Sequence, residues 1–468
     1  MTTIRDAIRL VTQDNKVTKE EWDNTLKPLA DALPLEASED ARELVALFTN
    51  DQFELDAGAK TALRTTLRNR GYDVPQTRPA GVDNAAFAEA VINSNVTETD
   101  AVFESLQQRA GLADTRVIVG VLDTGLDVQH AALQDKLWVN EGEIPEDGID
   151  NDGNGYVDDR NGFDFNTGKG LKGDSHAVNP EVPEGWVDDP DMPRSLLKDT
   201  DGHGTHVSGI ITKGTKSVDV MGLTVIAGSN FSGKLAAEAF DYAAANGAKV
   251  LNMSFRVNNK QHVADMLEAM AKHPDILFVA SAGNDGRDIN SYVAESYLKK
   301  NTLPNFIVVS SADQDGPRAS YSNYGKPWAT HADVGSQVLS TTPGNKFTAM
   351  SGTSMASPNV GAAAAKARLL DPGLTATQVK DLLAMTTPAE AGWDPLVNSG
   401  GLIDAQSAYT VAALTGLVRR EGVTLEAAAE RLGLDAETFE SLRAVAEHFA
   451  PAVEPELPVE EPAQAACD

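Results

Sequence analysis

Residues 352–358 read Gly-Thr-Ser-Met-Ala-Ser-Pro and lead into an apolar stretch at 360–365 that is mostly alanine. This pattern predicts a helix with Ser354 at its N-terminus. The backbone N–H groups of a first helical turn have no intrahelical partner, and the helix dipole favours negative charge there. Such a position suits a nucleophilic serine whose reaction develops an oxyanion.

Two upstream motifs contain the other groups that a nucleophilic serine needs. His203 lies between glycines in the segment Gly-His-Gly-Thr-His-Val at 202–207 and is the candidate general base. Asp123 ends the apolar run 117–122, which predicts a buried parallel strand, and is the candidate that orients His203. Each motif alone is also typical of a turn, a loop or a helix cap. Together, in the order Asp, His, Ser, they indicate a catalytic triad.

With these three motifs the chain resembles the subtilisin-like serine proteases over roughly residues 96–410. A fourth match is Ser-Ala-Gly-Asn-Asp at 281–285, by which the resemblance implies that the Asn284 amide is an oxyanion donor beside the Ser354 N–H. It also implies hydrolysis of protein or peptide substrates through an acyl-enzyme, without a cofactor for catalysis. The alternative is an inactive protease-like scaffold or binding protein.

The substrate-binding segment departs from the family pattern. In the family, substrate lies as an added strand beside Ser-Leu-Gly-Gly, and residues 254–257 here read Ser-Phe-Arg-Val. The resemblance implies substrate contacts for Ser254, Phe255, Arg256, Ala282 and Gly283. A large cation in place of glycine should narrow the entrance to the primary specificity pocket, which predicts a selective protease. The alternative is that Arg256 points to solvent.

The remaining pattern between the motifs predicts an α/β fold. Apolar runs at 221–227, 249–253, 276–280 and 306–309 are separated by helix-like stretches at 234–246 and 263–272. We therefore expect a subtilisin-like, doubly wound, mostly parallel sheet with helices on both faces, plus small helical modules at the N- and C-terminal ends.

An acidic loop follows the first strand. Residues 150–161 read Asp-Asn-Asp-Gly-Asn-Gly-Tyr-Val-Asp-Asp-Arg-Asn, which puts oxygen ligands at the first, third, fifth, seventh and ninth positions of an EF-hand type loop. The predicted ligands of a structural Ca²⁺ are Asp150, Asp152, Asn154, the Tyr156 carbonyl and Asp158. The usual closing glutamate is replaced by Asn161. The alternative is a turn rich in Asn, Asp and Gly without a metal.

The flanks of the predicted peptidase domain (96–410) have their own patterns. Residues 1–95 show apolar positions at helical spacing and predict a helical module, either a prosegment or an accessory domain. Residues 411–450 predict a helical hairpin, and its second helix is too acidic to suit DNA. Residues 451–468, rich in Pro, Ala and Glu, predict a disordered acidic tail.

Charge and composition bear on the partners and the compartment. A net charge of −30 over 468 residues makes nucleic acid and an anionic membrane unsuitable partners. The single cysteine allows no intrachain disulfide. The start of the sequence lacks a secretory signal pattern, which predicts a cytoplasmic protein or secretion without a signal peptide. A further hypothesis is that an inhibitory protein partner restrains the proteolytic activity in the cell.

Overall fold

The computed structural model describes residues 16–27, 54–55, 59, 63, 98–130, 132–144, 147–166, 199, 201–227, 230–257, 259–291, 303–344 and 346–451. The predicted N-terminal module and the predicted tail therefore lie almost entirely outside the described residues. Within the former, a short parallel pairing joins Lys16–Val17 to Glu54–Leu55. None of the described helices is both long enough and apolar enough to cross a membrane.

A parallel sheet of seven strands forms the centre of the molecule, in the spatial order β9-β8-β7-β6-β1-β3-β2. Two antiparallel pairs, β4 with β5 and β10 with β11, lie outside it. In chain order the strands are β1 (Val117–Asp123), β2 (Gly162–Asp164), β3 (Val218–Thr224), β4 (Ile226–Ala227), β5 (Asn230–Phe231), β6 (Val250–Met253), β7 (Leu277–Ser281), β8 (Phe306–Ala312), β9 (His331–Val334), β10 (Val338–Thr342) and β11 (Lys346–Met350).

Helices cover both faces of the sheet, which confirms the predicted doubly wound α/β fold. They are α1 (Glu98–Arg109), α2 (His203–Ile211), α3 (Gly233–Ala245), α4 (Lys260–Met270), α5 (Thr353–Leu370), α6 (Ala376–Thr386), α7 (Ala405–Glu421), α8 (Leu425–Leu432) and α9 (Ala436–Phe449). Because side chains alternate along a strand, Val119 and Val121 of β1 pack with the core around α2 and α5. Leu122 packs on the opposite face, with the core around α3 and α4.

The strand order reverses between β1 and β6. From β1 the chain goes to β2 and β3 on one side, and it later crosses to β6 and continues outward to β9 on the other. In open α/β sheets, such a switch point leaves a crevice outside the carboxyl ends of the two strands. This crevice is where functional side chains are expected.

The C-terminal helices share the main core. Leu432 of α8 and Phe439 and Phe449 of α9 belong to the same buried cluster as the β1 valines. Helix α7 runs across the predicted boundary at residue 410, and Gly433, at φ 65°, ends α8 within the predicted hairpin. The domain boundaries stay predictions.

Candidate active site

Asp123 and His203 are joined directly. Asp123 is the last residue of β1 and is 1% exposed, and its Oδ1 lies 2.7 Å from the Nδ1 of His203. The carboxylate also accepts a hydrogen bond from the Thr124 N–H at 2.8 Å. Since Nδ1 faces a carboxylate, it carries the proton, and Nε2 is left as the atom that can take a proton from a nucleophile.

The charge around His203 favours its protonated form. Burial by itself lowers the pKa of the imidazole, but the charge and hydrogen bond of Asp123, with smaller contributions from Asp201 and Asp199, outweigh it and raise the pKa from 6.5 to about 9. The imidazolium that forms when His203 accepts a proton is therefore stabilised by this environment.

Asp199 fixes the start of α2, and the sequence motifs did not single it out. Its Oδ1 accepts hydrogen bonds from the Thr124 hydroxyl at 2.9 Å and the Gly202 N–H at 2.7 Å, and its Oδ2 accepts one from the Thr205 N–H at 2.8 Å. This buried carboxylate thus accepts hydrogen bonds from backbone N–H groups at the N-terminus of the helix that carries His203, and it ties that helix to the end of β1.

Ser354 lies in the first turn of α5 and is held by Ser254, the residue after β6. The Ser354 hydroxyl donates to the Ser254 carbonyl, and the Ser254 hydroxyl donates to the Ser354 carbonyl, each at 3.0 Å. Pro358 explains the second bond. Because proline has no N–H, it cannot donate the usual helical hydrogen bond to the Ser354 carbonyl, and that carbonyl accepts from the Ser254 hydroxyl. For reaction, the Ser354 hydroxyl has to turn from Ser254 to the base.

The register of the sheet brings the two groups together. Leu122 of β1 pairs with Met253 of β6, so the next residues, Asp123 and Ser254, extend neighbouring strands side by side. Asp123 holds the imidazole, and Ser254 holds the nucleophile. Helices α2 and α5 also pack on each other. The segments that carry His203 and Ser354 therefore converge at the switch point of the sheet.

Asn284 lies beside the nucleophile on the β7 side of the crevice. Its Oδ1 accepts hydrogen bonds from the N–H and the hydroxyl of Thr353, both at 2.9 Å, which turns the Nδ2 donor away from Thr353. A Cβ on Gly352 would lie 3.3 Å from Nδ2 of Asn284 and 3.6 Å from the Ser354 nitrogen. Glycine at 352 therefore keeps open a space that borders both candidate oxyanion donors.

The sequence model of the subtilase family matches residues 114–420, a range that contains Asp123, His203, Asn284 and Ser354. The chain belongs to the subtilase family. This match confirms the family resemblance read from the motifs.

Several known subtilases are similar to this chain. The thermostable alkaline protease of Halalkalibacterium halodurans is 33% identical over 44% of this chain and 57% of that protein. Subtilisin Savinase of Lederbergia lenta is 32% identical over 45% of this chain and 78% of that protein. Subtilisin-like protease 1 of Plasmodium vivax is 29% identical over 62% of this chain and 47% of that protein. The chain thus spans about half the length of some curated relatives.

One solved structure is similar to part of this subtilase. It is the crystal structure of a cold-adapted subtilisin-like serine proteinase, with a TM-score of 0.44 and 22% sequence identity. The similarity covers 62% of this chain and 87% of that one.

In this subtilase the segment after Ser254 is anchored by two side-chain contacts. The Phe255 ring packs on Phe231 of β5 with ring centroids 5.2 Å apart. Arg256 is exposed, but its guanidinium forms an ion pair with Asp285, which follows Asn284. The alternative in which Arg256 only points to solvent therefore does not describe its position.

Ala282 and Gly283 form the opposite side of the crevice. Ala282 is fully buried and continues the sheet pairing, its N–H donating to the Val309 carbonyl at 2.9 Å. The Gly283 N–H donates to the Thr353 hydroxyl at 3.0 Å. Gly283 has φ 98°, a left-handed conformation that favours glycine.

The acidic loop brings two of the predicted metal ligands together with a residue that the sequence motif missed. Carboxyl oxygens of Asp150, Asp152 and Glu143 lie within 4.8 Å of one another, and Glu143 is 2% exposed. Three convergent carboxylates repel each other unless a cation lies between them, and oxygen ligands are those that Ca²⁺ prefers. The residues present therefore fit a calcium ion, and Glu143 also binds the loop backbone by accepting hydrogen bonds from the N–H groups of Asn151, Asp152 and Asp158.

The other predicted ligands are arranged differently. The Asp158 carboxylate accepts hydrogen bonds from the Gly148 N–H at 3.2 and 3.4 Å, so it faces the start of the loop. The Asn154 amide donates to Asp159 at 2.9 Å. The Tyr156 ring packs in the core, which anchors the loop at its seventh position.

Proposed function

We propose that this protein is a serine endopeptidase that hydrolyses peptide bonds in protein or peptide substrates. The observation that carries the proposal is the pairing of Leu122 with Met253 on neighbouring strands, because the residues that follow them, Asp123 and Ser254, bond His203 and a serine at a helix N-terminus. The names of the relatives, which include alkaline protease and subtilisin, support the same reaction.

The proposed reaction is acyl transfer in two halves. The Ser354 Oγ attacks the carbonyl carbon while its proton passes to Nε2 of His203, and Asp123 stabilises the imidazolium. The carbonyl oxygen becomes an oxyanion held by the Ser354 N–H and the Asn284 amide. The amine leaves with the proton from His203. A water molecule, deprotonated by the same imidazole, then releases the acyl group from Ser354.

A fluorophosphonate probe tests the nucleophile directly. We expect the purified protein to be labelled at Ser354, and we expect labelling to vanish in Ser354→Ala and to slow strongly in His203→Ala. Ser351→Ala is the matched control, since Ser351 is an exposed serine three residues earlier that bonds only Gln337 in the described part of the chain. Labelling of the control should equal that of the wild type.

The competing candidate is a protease-like scaffold that binds without cleaving. It predicts a folded protein with a normal melting transition that neither reacts with the probe nor cleaves a casein or peptide library. That result, obtained with the wild-type chain, would overturn the endopeptidase proposal. Probe labelling together with cleavage would exclude the scaffold.

We also propose that the acidic loop binds a structural Ca²⁺ through Glu143, Asp150 and Asp152, with further oxygens from Asn154 and the Tyr156 carbonyl. The ion would hold the loop against the core and supply no step of catalysis. Calcium at about 100 times its dissociation constant would stabilise the folded state by about 2.7 kcal/mol.

Thermal unfolding with added calcium and after chelation tests the metal site. We expect chelation to lower the Tm of the wild type, and added calcium to restore it better than magnesium does. Glu143→Gln should abolish the calcium response, whereas Asp315→Asn, which changes an exposed carboxylate outside the loop, should leave it intact. A wild-type Tm that is the same with calcium and with chelator would contradict the proposal.

A further inference from the structure

The crevice next to Ser354 has two walls that leave neighbouring strands. One wall continues β6 from Ser254 to Arg256, and the other continues β7 from Ala282 to Asp285. Because β6 and β7 are adjacent parallel strands, the two walls begin side by side and open outward from the sheet edge. The nucleophile lies where the walls begin, since Ser354 bonds Ser254.

An ion pair joins the two walls across this opening. The Nη1 atom of Arg256 bonds the Oδ2 of Asp285, and the two side chains are 37% and 34% exposed. The guanidinium lies close to the opposite wall, because a Cβ built on Gly283 would lie 3.8 Å from that Nη1 atom and 2.6 Å from Nδ2 of Asn323. Since 3.8 Å is a van der Waals contact, the guanidinium leaves little space beside Gly283 for a large side chain.

The segment that carries Asp285, the acidic residue of this ion pair, is hydrogen-bonded by the side chain of Asn323. This amide is fully buried, and its Oδ1 accepts hydrogen bonds from the N–H groups of Asp285 and Arg287 at 3.1 and 3.0 Å. Its Nδ2 donates to the Ala282 carbonyl at 2.9 Å and to the Asp285 carboxylate at 3.3 Å. Because both ends of the amide bond this one wall, Asn323 fixes the backbone at Asp285 and also donates one bond to its carboxylate.

We propose that the Arg256–Asp285 ion pair restricts this crevice to small, uncharged side chains, so that the enzyme cleaves after residues such as alanine and disfavours large apolar and charged ones. The inference rests on the proposed endopeptidase function. The pairing also neutralises Arg256, so its cation does not select acidic substrates while Asp285 is bound to it. Specificity would therefore come from the width of the crevice and not from its charge.

The test compares three peptides that differ only in the residue on the amino side of the cleaved bond, alanine, phenylalanine or glutamate. For the wild type we expect kcat/KM to be highest for alanine. In Arg256→Ala the ratio of phenylalanine to alanine should rise by about 10- to 100-fold, the gain typical of burying a large apolar side chain. In Asp285→Asn the ratio of glutamate to alanine should rise, and added salt should reduce that rise, because the Asp285 charge no longer compensates the Arg256 cation, which then attracts the substrate carboxylate more strongly.

Arg431→Ala is the matched control, since it removes an exposed ion pair of similar accessibility, with Glu421, between helices α7 and α8. Its three kcat/KM ratios should equal those of the wild type. Fluorophosphonate labelling of Ser354 is measured in every variant, because this small probe does not need the crevice. Labelling with ratios unchanged within about twofold in both Arg256→Ala and Asp285→Asn would overturn the inference and leave the endopeptidase proposal intact. Absence of labelling in the wild type would overturn both.

Discussion

His203 is the residue whose protonation sets the pH range of the proposed reaction. The base must be neutral to accept a proton, and Asp123 raises the pKa of His203 above 6.5, so the neutral fraction grows as the pH rises through this higher value. We expect kcat/KM to increase with pH and to reach half its maximum on the alkaline side of 6.5. The measurement is a pH profile of kcat/KM with one peptide substrate.

Asp123→Asn provides the comparison for that profile. Without the carboxylate charge the pKa of His203 should fall, and the profile should move to lower pH while its level drops by about 10⁴. A wild-type profile with its midpoint at or below 6.5 would contradict the assignment of His203 as the base.

Thr353 orients the Asn284 amide through its hydroxyl. Thr353→Val keeps the shape but removes that donor, so the amide loses one of its two bonds to residue 353, and we expect kcat to fall by about tenfold with little change in KM. Thr353→Ser keeps the hydroxyl and should retain most of the activity. Steady-state kinetics on both variants test this role of Thr353. Equal kcat values for Thr353→Val and Thr353→Ser would contradict an orienting role of the hydroxyl.

At the scale of single elements, helix α2 depends on a carboxylate outside the helix. Asp199 accepts three hydrogen bonds, two of them from backbone N–H groups at the start of α2. Asp199→Ala should lower the free energy of unfolding by about 1.5–3 kcal/mol or more, because buried donors lose a charged partner. It should also lower kcat/KM at least about tenfold, because the helix carries the base.

Asp435→Ala is the control for this prediction, since Asp435 caps α9 by accepting a hydrogen bond from the Thr438 N–H. Loss of that cap should lower the free energy of unfolding by about 0.5–2 kcal/mol and leave kcat/KM unchanged. Denaturant unfolding and kinetics are measured on both variants. Asp199→Ala with wild-type kcat/KM would show that Asp199 supports stability alone.

At the scale of the whole molecule, arginine side chains tie the C-terminal helices to the rest of the core. Arg109 of α1 donates to the Leu432 carbonyl at the end of α8. Arg420 donates to the Leu370 carbonyl at the end of α5, and Arg419 donates to the Phe449 carbonyl at the end of α9. Cations at helix C-termini satisfy unpaired carbonyls and oppose the helix dipole.

Truncation after Glu421 removes α8 and α9 and tests whether they belong to the folded unit. The truncated chain loses the buried side chains of Leu432, Phe439 and Phe449, and we expect the Tm to fall by about 10 °C or more. Removal of residues 452–468 alone should leave the Tm unchanged, because that tail is predicted to be disordered from its composition. Calorimetry on the two truncated proteins measures both Tm values. An unchanged Tm after the longer deletion would contradict the view that α8 and α9 belong to the folded unit.

The sequence by itself determined the parallel α/β sheet and the residues proposed for catalysis. Buried parallel strands are continuous apolar runs, and the motifs around Asp123, His203, Asn284 and Ser354 are each confined to a few residues, so both are visible without coordinates. The Asx-rich calcium motif was visible for the same reason.

Only the tertiary structure decided which further residues complete those motifs. Asp199 bonding Thr124 at the end of β1 and Asp285 pairing with Arg256 are contacts between segments that no local pattern links. Glu143 lies shortly before the acidic motif but outside it, and the folding of the loop brings its carboxylate to Asp150 and Asp152. The pairing of Leu122 with Met253, which sets Asp123 beside Ser254, follows from strand order and register. Periodicity along the chain fixes which face a side chain takes, but not which strand becomes its neighbour. The physical reason is that the packing of the whole core determines which strands lie next to each other in the sheet.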